Sequence, residues 1–316
     1  MGAFLHAVAV FFHHLSQVRW DALGLALACH LIKLLFRARA WQNIVRAAYP
    51  EGRLRYRTAT GAYIAGVGVN SIAPARGGDL IKLYLVKHRM VGATYPTLGA
   101  TLVVETLFDF CVAGALMIWA LSIGVLPTHQ VYSRIPTVDW KFLLRHDEAT
   151  AVGIAVLLLL AVVVFFWARR RVVDFWERVR LGFAVLVRRR TFWLGVILPQ
   201  AISWAFRLGT LFFALEAFRV HASLHNALLA QVVDSLATLF PATPGGAGTK
   251  QGLIVYLFRK SAISKTLLLA FSVGLNIALT VTNLVLGLIA IGVMARTLSF
   301  KKVRSRASSE EQPAQG

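Results

Sequence analysis

Pro74-Ala75-Arg76-Gly77-Gly78-Asp79 and Pro241-Ala242-Thr243-Pro244-Gly245-Gly246 each interrupt a long apolar run. Proline removes a backbone donor and glycine admits the dihedrals of sharp turns, so each motif predicts the end of one half-helix and the start of another. The flanks strengthen the pairing. The first motif continues into Leu80-Ile81-Lys82-Leu83-Tyr84-Leu85, and the second, after a short insertion, into Leu253-Ile254-Val255-Tyr256-Leu257.

Around these breaks the chain is mostly apolar. Over 316 residues, 57% are hydrophobic and 15% charged, and the apolar residues gather in runs instead of alternating, which excludes a soluble core. A helix needs about 18 to 25 apolar residues to cross roughly 30 Å of hydrocarbon. Trp20 to Phe36, Thr97 to Leu126, Ala149 to Ala168, Phe192 to Phe218 and Thr266 to Ala295 meet that length. Thr58 to Ala75 and Leu224 to Phe258 are apolar but interrupted. The predicted fold class is all-α, a polytopic transmembrane helix bundle.

The net charge of +20 would point to nucleic acid in a soluble protein. Here nearly every Lys and Arg adjoins an apolar run, so the charge reads as positive-inside topology, with anionic lipid headgroups as its partners and no nucleic acid. Six Arg and one Glu between Arg37 and Arg57, and eight Arg from Arg169 to Arg190, place both loops in the cytoplasm. Pro127 to Glu148 is charge-balanced and should face outward. Arg296, Lys301, Lys302, Arg304 and Arg306 put the C-terminus inside, at the cell membrane.

Counting spans from these anchors, the first interrupted stretch must leave and return on the cytoplasmic side and the second on the outer side. The expectation is two inverted three-element halves, about 20–126 and 192–295, each with a broken re-entrant segment and joined by a span at 149–168. Lys250, Arg259, Lys260 and Lys265 run against a simple charge rule on the outer segment, as they would if some face a substrate. Residues 1–19 read as an interfacial amphipathic segment and 299–316 as a disordered basic tail. Cys29 and Cys111 read as small buried hydrophobes. Trp20, Trp41, Trp140, Trp167, Trp176 and Trp193 fall near span ends and read as interface anchors.

Non-helical backbone at membrane depth survives only beside protein or a wet cavity. The breaks therefore imply a cavity, and the residues around them are the candidate substrate site: Asn70, Arg76, Gly77, Gly78, Asp79 and Lys82, then Pro244, Gly245, Gly246, Gly248, Lys250 and Gln251. Asp79 and Thr249 suit the N-caps of the half-helices that follow, whose free N–H groups favour phosphate or carboxylate. Arg76 offers a bidentate fork to a lipid phosphate, or else pairs with Asp79, Glu105 or Asp109 as bundle glue.

Glu105 and Asp109, four residues apart, share one face of an apolar helix, where charge is costly and rare. They can neutralise Arg76 and Lys82, bind a lipid amine, relay protons, or form a purely structural ion network. Arg207, with Gln200 and Ser203, and Asp234 add charge at similar depth, as do His30 and Lys33. Asn276 and Asn283 read as helix-to-helix bonds. The chain carries no Walker loop, His-Glu-x-x-His, Gly-x-Ser-x-Gly or metal-spaced Cys pair, so neither an enzyme nor a cofactor is expected.

Asn70 to Lys82, Val104-Glu105-Thr106-Leu107-Phe108-Asp109 and Pro244-Gly245-Gly246-Ala247-Gly248, in that order and after Arg39-Ala40-Trp41, resemble the lysylphosphatidylglycerol synthase transmembrane (flippase-like) family over roughly residues 20 to 298. The resemblance implies a membrane domain that moves lipids or lipid-linked precursors between leaflets, without the soluble aminoacyl-transfer domain of the synthases. Asp79, Lys82, Thr106 and Gln251 depart from the family pattern. The first two keep their charge; the last makes the outer motif more basic and fits an anionic phospholipid or polyprenyl-phosphate-linked lipid as well as a cationic headgroup. The leading expectation is a lipid flippase-like transporter. The alternative is a non-transporting scaffold that docks a membrane-associated lipid or glycosyl transferase. A homo-oligomer is compatible with either.

Overall fold

The computed structural model describes residues 17–73, 77–124, 177, 179–187, 189–239, 248–259 and 263–310. Among them every regular element is helical: α1 (Trp20–Ala48), α2 (Tyr56–Asn70), α3 (Gly77–Lys87), α4 (Tyr95–Ser122), α5 (Ala184–Val187), α6 (Arg189–Phe192), a π-helical turn (Trp193–Ile197), α7 (Leu198–Ala217), α8 (Leu224–Leu239), α9 (Thr249–Leu257) and α10 (Lys265–Glu310). Tyr95–Ser122, Arg190–Ala217 and Lys265–Arg296 are long and apolar enough to cross a membrane. The segments 1–16, 125–176 and 311–316 lie outside the described residues, and with them most of the interfacial segment, the span at 149–168, the loop Pro127 to Glu148, and Trp140, Trp167 and Trp176.

The helix boundaries follow local chemistry. α1 does not stop at Phe36, because no Gly or Pro intervenes before Pro50, which forces Tyr49 out of helical geometry (φ −130°). Arg37 and Arg39 are therefore helical residues, not loop charges. Near the start of α7, Pro199 cannot donate to the carbonyl four residues back, that of Gly195. The helix widens there into the π turn, and Asn43 Nδ2 of α1 donates to the freed Gly195 oxygen at 2.7 Å. α10 runs on to Glu310, into the stretch that composition reads as a tail.

Two apolar clusters form at opposite ends of the long helices. One joins Leu34, Trp41 and Val45 late in α1 with the α2–α3 hairpin (Ala62, Leu83, Val86), Leu98 early in α4 and Met294 late in α10. The other joins Ala22 and Ala26 early in α1 with Ala120, Leu215, the α8–α9 hairpin (Val232, Leu257) and Phe271 early in α10. The two hairpins thus pack at opposite ends of the bundle.

α1 packs along α7, α2 against α10, and α8 against α4. Small residues permit the closest of these approaches. A Cβ on Gly68 would lie 2.6 Å from Gly287 Cα, and within the α2–α3 hairpin one on Gly78 would collide with the Gly66 carbonyl oxygen. Trp20 and Trp193 are exposed, as anchors would be. Trp41 is fully buried in the core, a correction that follows from the extension of α1. Cys111 is also exposed, not buried, whereas Cys29 is half-buried.

Candidate functional site

Two polar constellations lie between the apolar clusters. In the first, Arg37 of α1 grips Asp109 of α4 through both carboxylate oxygens, with Nη1–Oδ1 at 3.0 Å and Nη2–Oδ2 at 2.6 Å, and reaches Glu105 Oε1 at 3.3 Å. Its Nε donates to the Tyr63 hydroxyl at 2.7 Å, which in turn donates to Glu105 Oε1 at 2.7 Å. Lys82 Nζ of α3 donates to Glu105 Oε2 at 2.6 Å and lies 4.1 Å and 4.2 Å from the ring centroids of Trp41 and Tyr63. Trp204 Nε1 of α7 donates to Asp109 Oδ1 at 2.9 Å.

Two cations face two carboxylates there, and Lys82 and Glu105 are almost wholly buried. Such a pair costs desolvation; here Glu105 accepts from Lys82, Tyr63 and Arg37, and the Lys82 ammonium also lies against the Trp41 and Tyr63 rings. Of the roles open to Glu105 and Asp109 from sequence, neutralising Lys82 is realised, but their second cation is Arg37. Arg76 lies outside the described residues.

In the second constellation, Asp234 of α8 takes Arg207 Nη2 of α7 on Oδ2 and Lys250 Nζ of α9 on Oδ1, both at 2.5 Å. The Arg207 guanidinium lies 4.8 Å from the Trp204 ring, so Trp204 touches both constellations. Lys33 Nζ of α1 is 3.0 Å from His30 Nδ1, and His30 Nε2 is 2.7 Å from Asn283 Oδ1 of α10. An ammonium only donates, so Nδ1 accepts and Nε2–H donates. Asn283 thus bonds helix to helix. Asn276 instead accepts from Thr280 on its own helix at 3.3 Å.

A cavity of about 270 Å³ opens beside this second group. Lys33, Asn70, Arg207, Gln231, Asp234, Lys250, Asn276 and Asn283 supply polar walls, and Ile254, Phe271 and Leu275 supply apolar ones. It brings together Asn70, Arg207, Asp234 and Lys250 of the residues singled out from sequence. Lys82, Glu105 and Asp109 are not among its lining residues.

The ends of the breaks are braced from within. Asn70 Oδ1 accepts the Gly78 N–H at 2.7 Å while its Nδ2 donates to Asp79 Oδ1 at 3.3 Å. α3 begins at Gly77, so Asp79 lies inside the first turn and Asn70, from the preceding helix, satisfies the free donor that Asp79 was expected to cap. At the second break the cap residue is Gly248 (φ +85°), not Thr249, and the Gly248 N–H donates to Gln251 Oε1 at 2.6 Å. Gln251 closes its own helix start, like the third helical residue of a capping box. Pro244, Gly245 and Gly246 lie outside the described residues.

Sequence reasoning missed Arg37, Tyr63, Trp204 and Gln231. The signal for Arg37 is its spacing: it sits four residues after Lys33, on the same face of α1. Trp204 is likewise three residues before Arg207. Tyr63 and Gln231 carry no distinguishing pattern. Among the described residues no group of His, Cys, Asp and Glu could hold a metal ion.

No curated protein and no solved structure matches the chain at a significant level. The family model described as "Lysylphosphatidylglycerol synthase TM region" matches residues 3–287, nearly the whole sequence and both interrupted stretches. The three apolar spans suit a membrane protein, and the chain belongs to the lysylphosphatidylglycerol synthase transmembrane family, which suggests a lipid-related function.

Proposed function

We propose that the protein moves a phospholipid or lipid-linked precursor between leaflets, without covalent chemistry. The observation that carries this reading is the cavity: one space bounded at once by the end of α2 (Asn70, Ser71) and the start of α9 (Lys250), with cationic walls. A lipid headgroup must leave water to cross hydrocarbon, and a polar cavity between half-helices offers it substitute partners.

The packing supports an inverted repeat. Exchanging α1 with α7, α2 with α8, α3 with α9 and α4 with α10 turns the α2–α10 contact into the α8–α4 contact. The same exchange turns α1–α2 into α7–α8, α3–α4 into α9–α10, and α1–α4 into α7–α10, and all of these pairs pack. With the hairpins at opposite ends, this favours re-entrant segments from opposite membrane faces, and the basic cluster of Arg296, Lys301, Lys302, Arg304 and Arg306 favours a C-terminus in the cytoplasm of a protein seated in the cell membrane. Such an arrangement lets the cavity meet one leaflet and then the other by rocking one half against its partner.

The test is reconstitution. Purified protein in liposomes should accelerate the exchange of fluorescent phospholipid or isoprenoid-linked lipid between leaflets over protein-free liposomes. No acceleration for either class would defeat the proposal.

A further inference from the structure

Lys33 differs from the other described cations at its depth in the bundle. Arg37 and Lys82 hold Glu105 and Asp109, and Arg207 and Lys250 hold Asp234. Among the described residues Lys33 pairs with no carboxylate; its partner is His30 Nδ1 at 3.0 Å. Charge without a counter-ion at membrane depth is costly. A guanidinium cannot relieve that cost by shedding its proton, and deprotonating Lys82 or Lys250 would leave a carboxylate short of its cation. Lys33 is the cation of this group that can lose a proton and break no ion pair.

The His30 ring is set so that this loss disturbs little. Its Nε2–H donates to Asn283 Oδ1 of α10 at 2.7 Å, which leaves the Nδ1 lone pair for Lys33. An ammonium and an amine both carry a hydrogen for that lone pair, so the contact persists whether Lys33 is charged or neutral. His30 is buried, whereas Lys33 lines the cavity, so proton exchange with water goes through the lysine end of the pair. The charged groups acting on Lys33 are Arg37 of its own helix, Arg207 of α7, Asp234 of α8 and Lys250 of α9. α2 brings the uncharged Asn70 and Ser71 to the cavity, and α10 brings Asn276, Thr280 and Asn283. Tyr63 of α2 and Glu105 and Asp109 of α4 are engaged by Arg37. No second base therefore competes for the proton at this wall among the described residues.

We infer that Lys33 carries a proton across the membrane with each turnover, which makes the lipid movement proton-coupled. The inference rests on the translocation reading for the alternating access of the cavity. Open to the more acidic side, the cavity lets a hydronium ion give its proton to the Lys33 amine, forming an N–H bond. Open to the other side, that N–H bond breaks and water takes the proton. One proton crosses per cycle, with no oxidation and no covalent intermediate, and His30 Nδ1 accepts from Lys33 throughout.

The test uses the full chain in liposomes that trap a pH-sensitive dye, with the membrane potential clamped by potassium and valinomycin. The leaflet distribution of fluorescent phospholipid and isoprenoid-linked lipid is read by chemical quenching. With the outside about one pH unit more acidic, the lumen should acidify faster than in protein-free liposomes. The transported lipid should gather in one leaflet, by up to about tenfold for one proton per lipid, and reversing the gradient should reverse that bias. Lys33→Arg keeps a charge that cannot be shed, and Lys33→Met removes it. In either variant, with a retained gel-filtration profile, acidification should fall to the protein-free rate and the bias should vanish. His30→Leu takes away the acceptor and should displace the pH at which proton flux is half-maximal; an unmoved profile overturns the part given to His30.

Lipid exchange that ignores the gradient, with no proton flux above protein-free liposomes, keeps the transport reading and overturns this inference. Proton flux retained by folded Lys33→Arg and Lys33→Met overturns Lys33 as the carrier. Proton flux that needs Lys33 but moves no lipid supports the proton site and defeats the transport reading. Neither flux nor exchange defeats both.

Discussion

Lys82 Nζ and Glu105 Oε2 meet at 2.6 Å with both side chains almost wholly buried, and the pair joins the α2–α3 hairpin to α4. Removing one partner strands the other charge, a loss of about 3 to 5 kcal/mol for buried pairs. Glu105→Gln should therefore lower the unfolding midpoint in detergent steeply. Lys82→Met with Glu105→Leu should recover most of the loss, because replacing both members by apolar groups leaves no bare charge. A double variant no more stable than Glu105→Gln would show that Tyr63 and Arg37, not Lys82, are the partners that matter.

Gly78 and Gly77 are adjacent but differ in what surrounds them. A Cβ on Gly78 would collide with the Gly66 carbonyl oxygen, whereas one on Gly77 meets only the Ala73 side chain at 3.5 Å. Gly78→Ala should abolish the folded, monodisperse protein on gel filtration, since backbone atoms cannot yield, while Gly77→Ala should be recovered at near wild-type yield. Equal yields would contradict the close approach of α2 and α3.

Gln251 has a mechanical role at the start of α9, where its Oε1 accepts the Gly248 N–H. Gln251→Leu removes the acceptor for the Gly248 N–H and should cost about 1 kcal/mol, the usual worth of a cap. Gln251→Glu keeps an acceptor and should be neutral or slightly stabilising, because a carboxylate near a helix N-terminus is favoured. Thermal unfolding of the two variants side by side decides between a cap and a substrate contact.

Trp204 links the two constellations, donating to Asp109 and lying under Arg207. Trp204→Phe keeps a ring for Arg207 but removes the donor to a charged acceptor, a loss of about 1.5 to 3 kcal/mol. The unfolding midpoint should fall accordingly, with lipid exchange in liposomes largely retained. Exchange lost at unchanged stability would place Trp204 in the transport site itself.

The interrupted apolar runs were legible in the sequence because proline and glycine act through backbone chemistry that needs no tertiary context. Glu105 and Asp109 announced themselves by charge at helical spacing. Arg37 did not: a short window weighs it with the basic residues after Phe36, and only the uninterrupted helix to Ala48 turns it inward. Trp41 was misread for the same reason. The second ion group depends on which cations share Asp234, and that is a matter of α7, α8 and α9 converging, which no linear spacing displays.

The central claim is that the two hairpins enter the membrane from opposite faces and meet at one cavity. It is tested most directly by single cysteines at Lys87, after α3, and at Arg259, after α9, in a chain with Cys29 and Cys111 replaced by Ala. A membrane-impermeant maleimide applied to intact cells should label the Arg259 position and leave the Lys87 position unlabelled until the membrane is opened. Labelling of both from the same side would contradict the account.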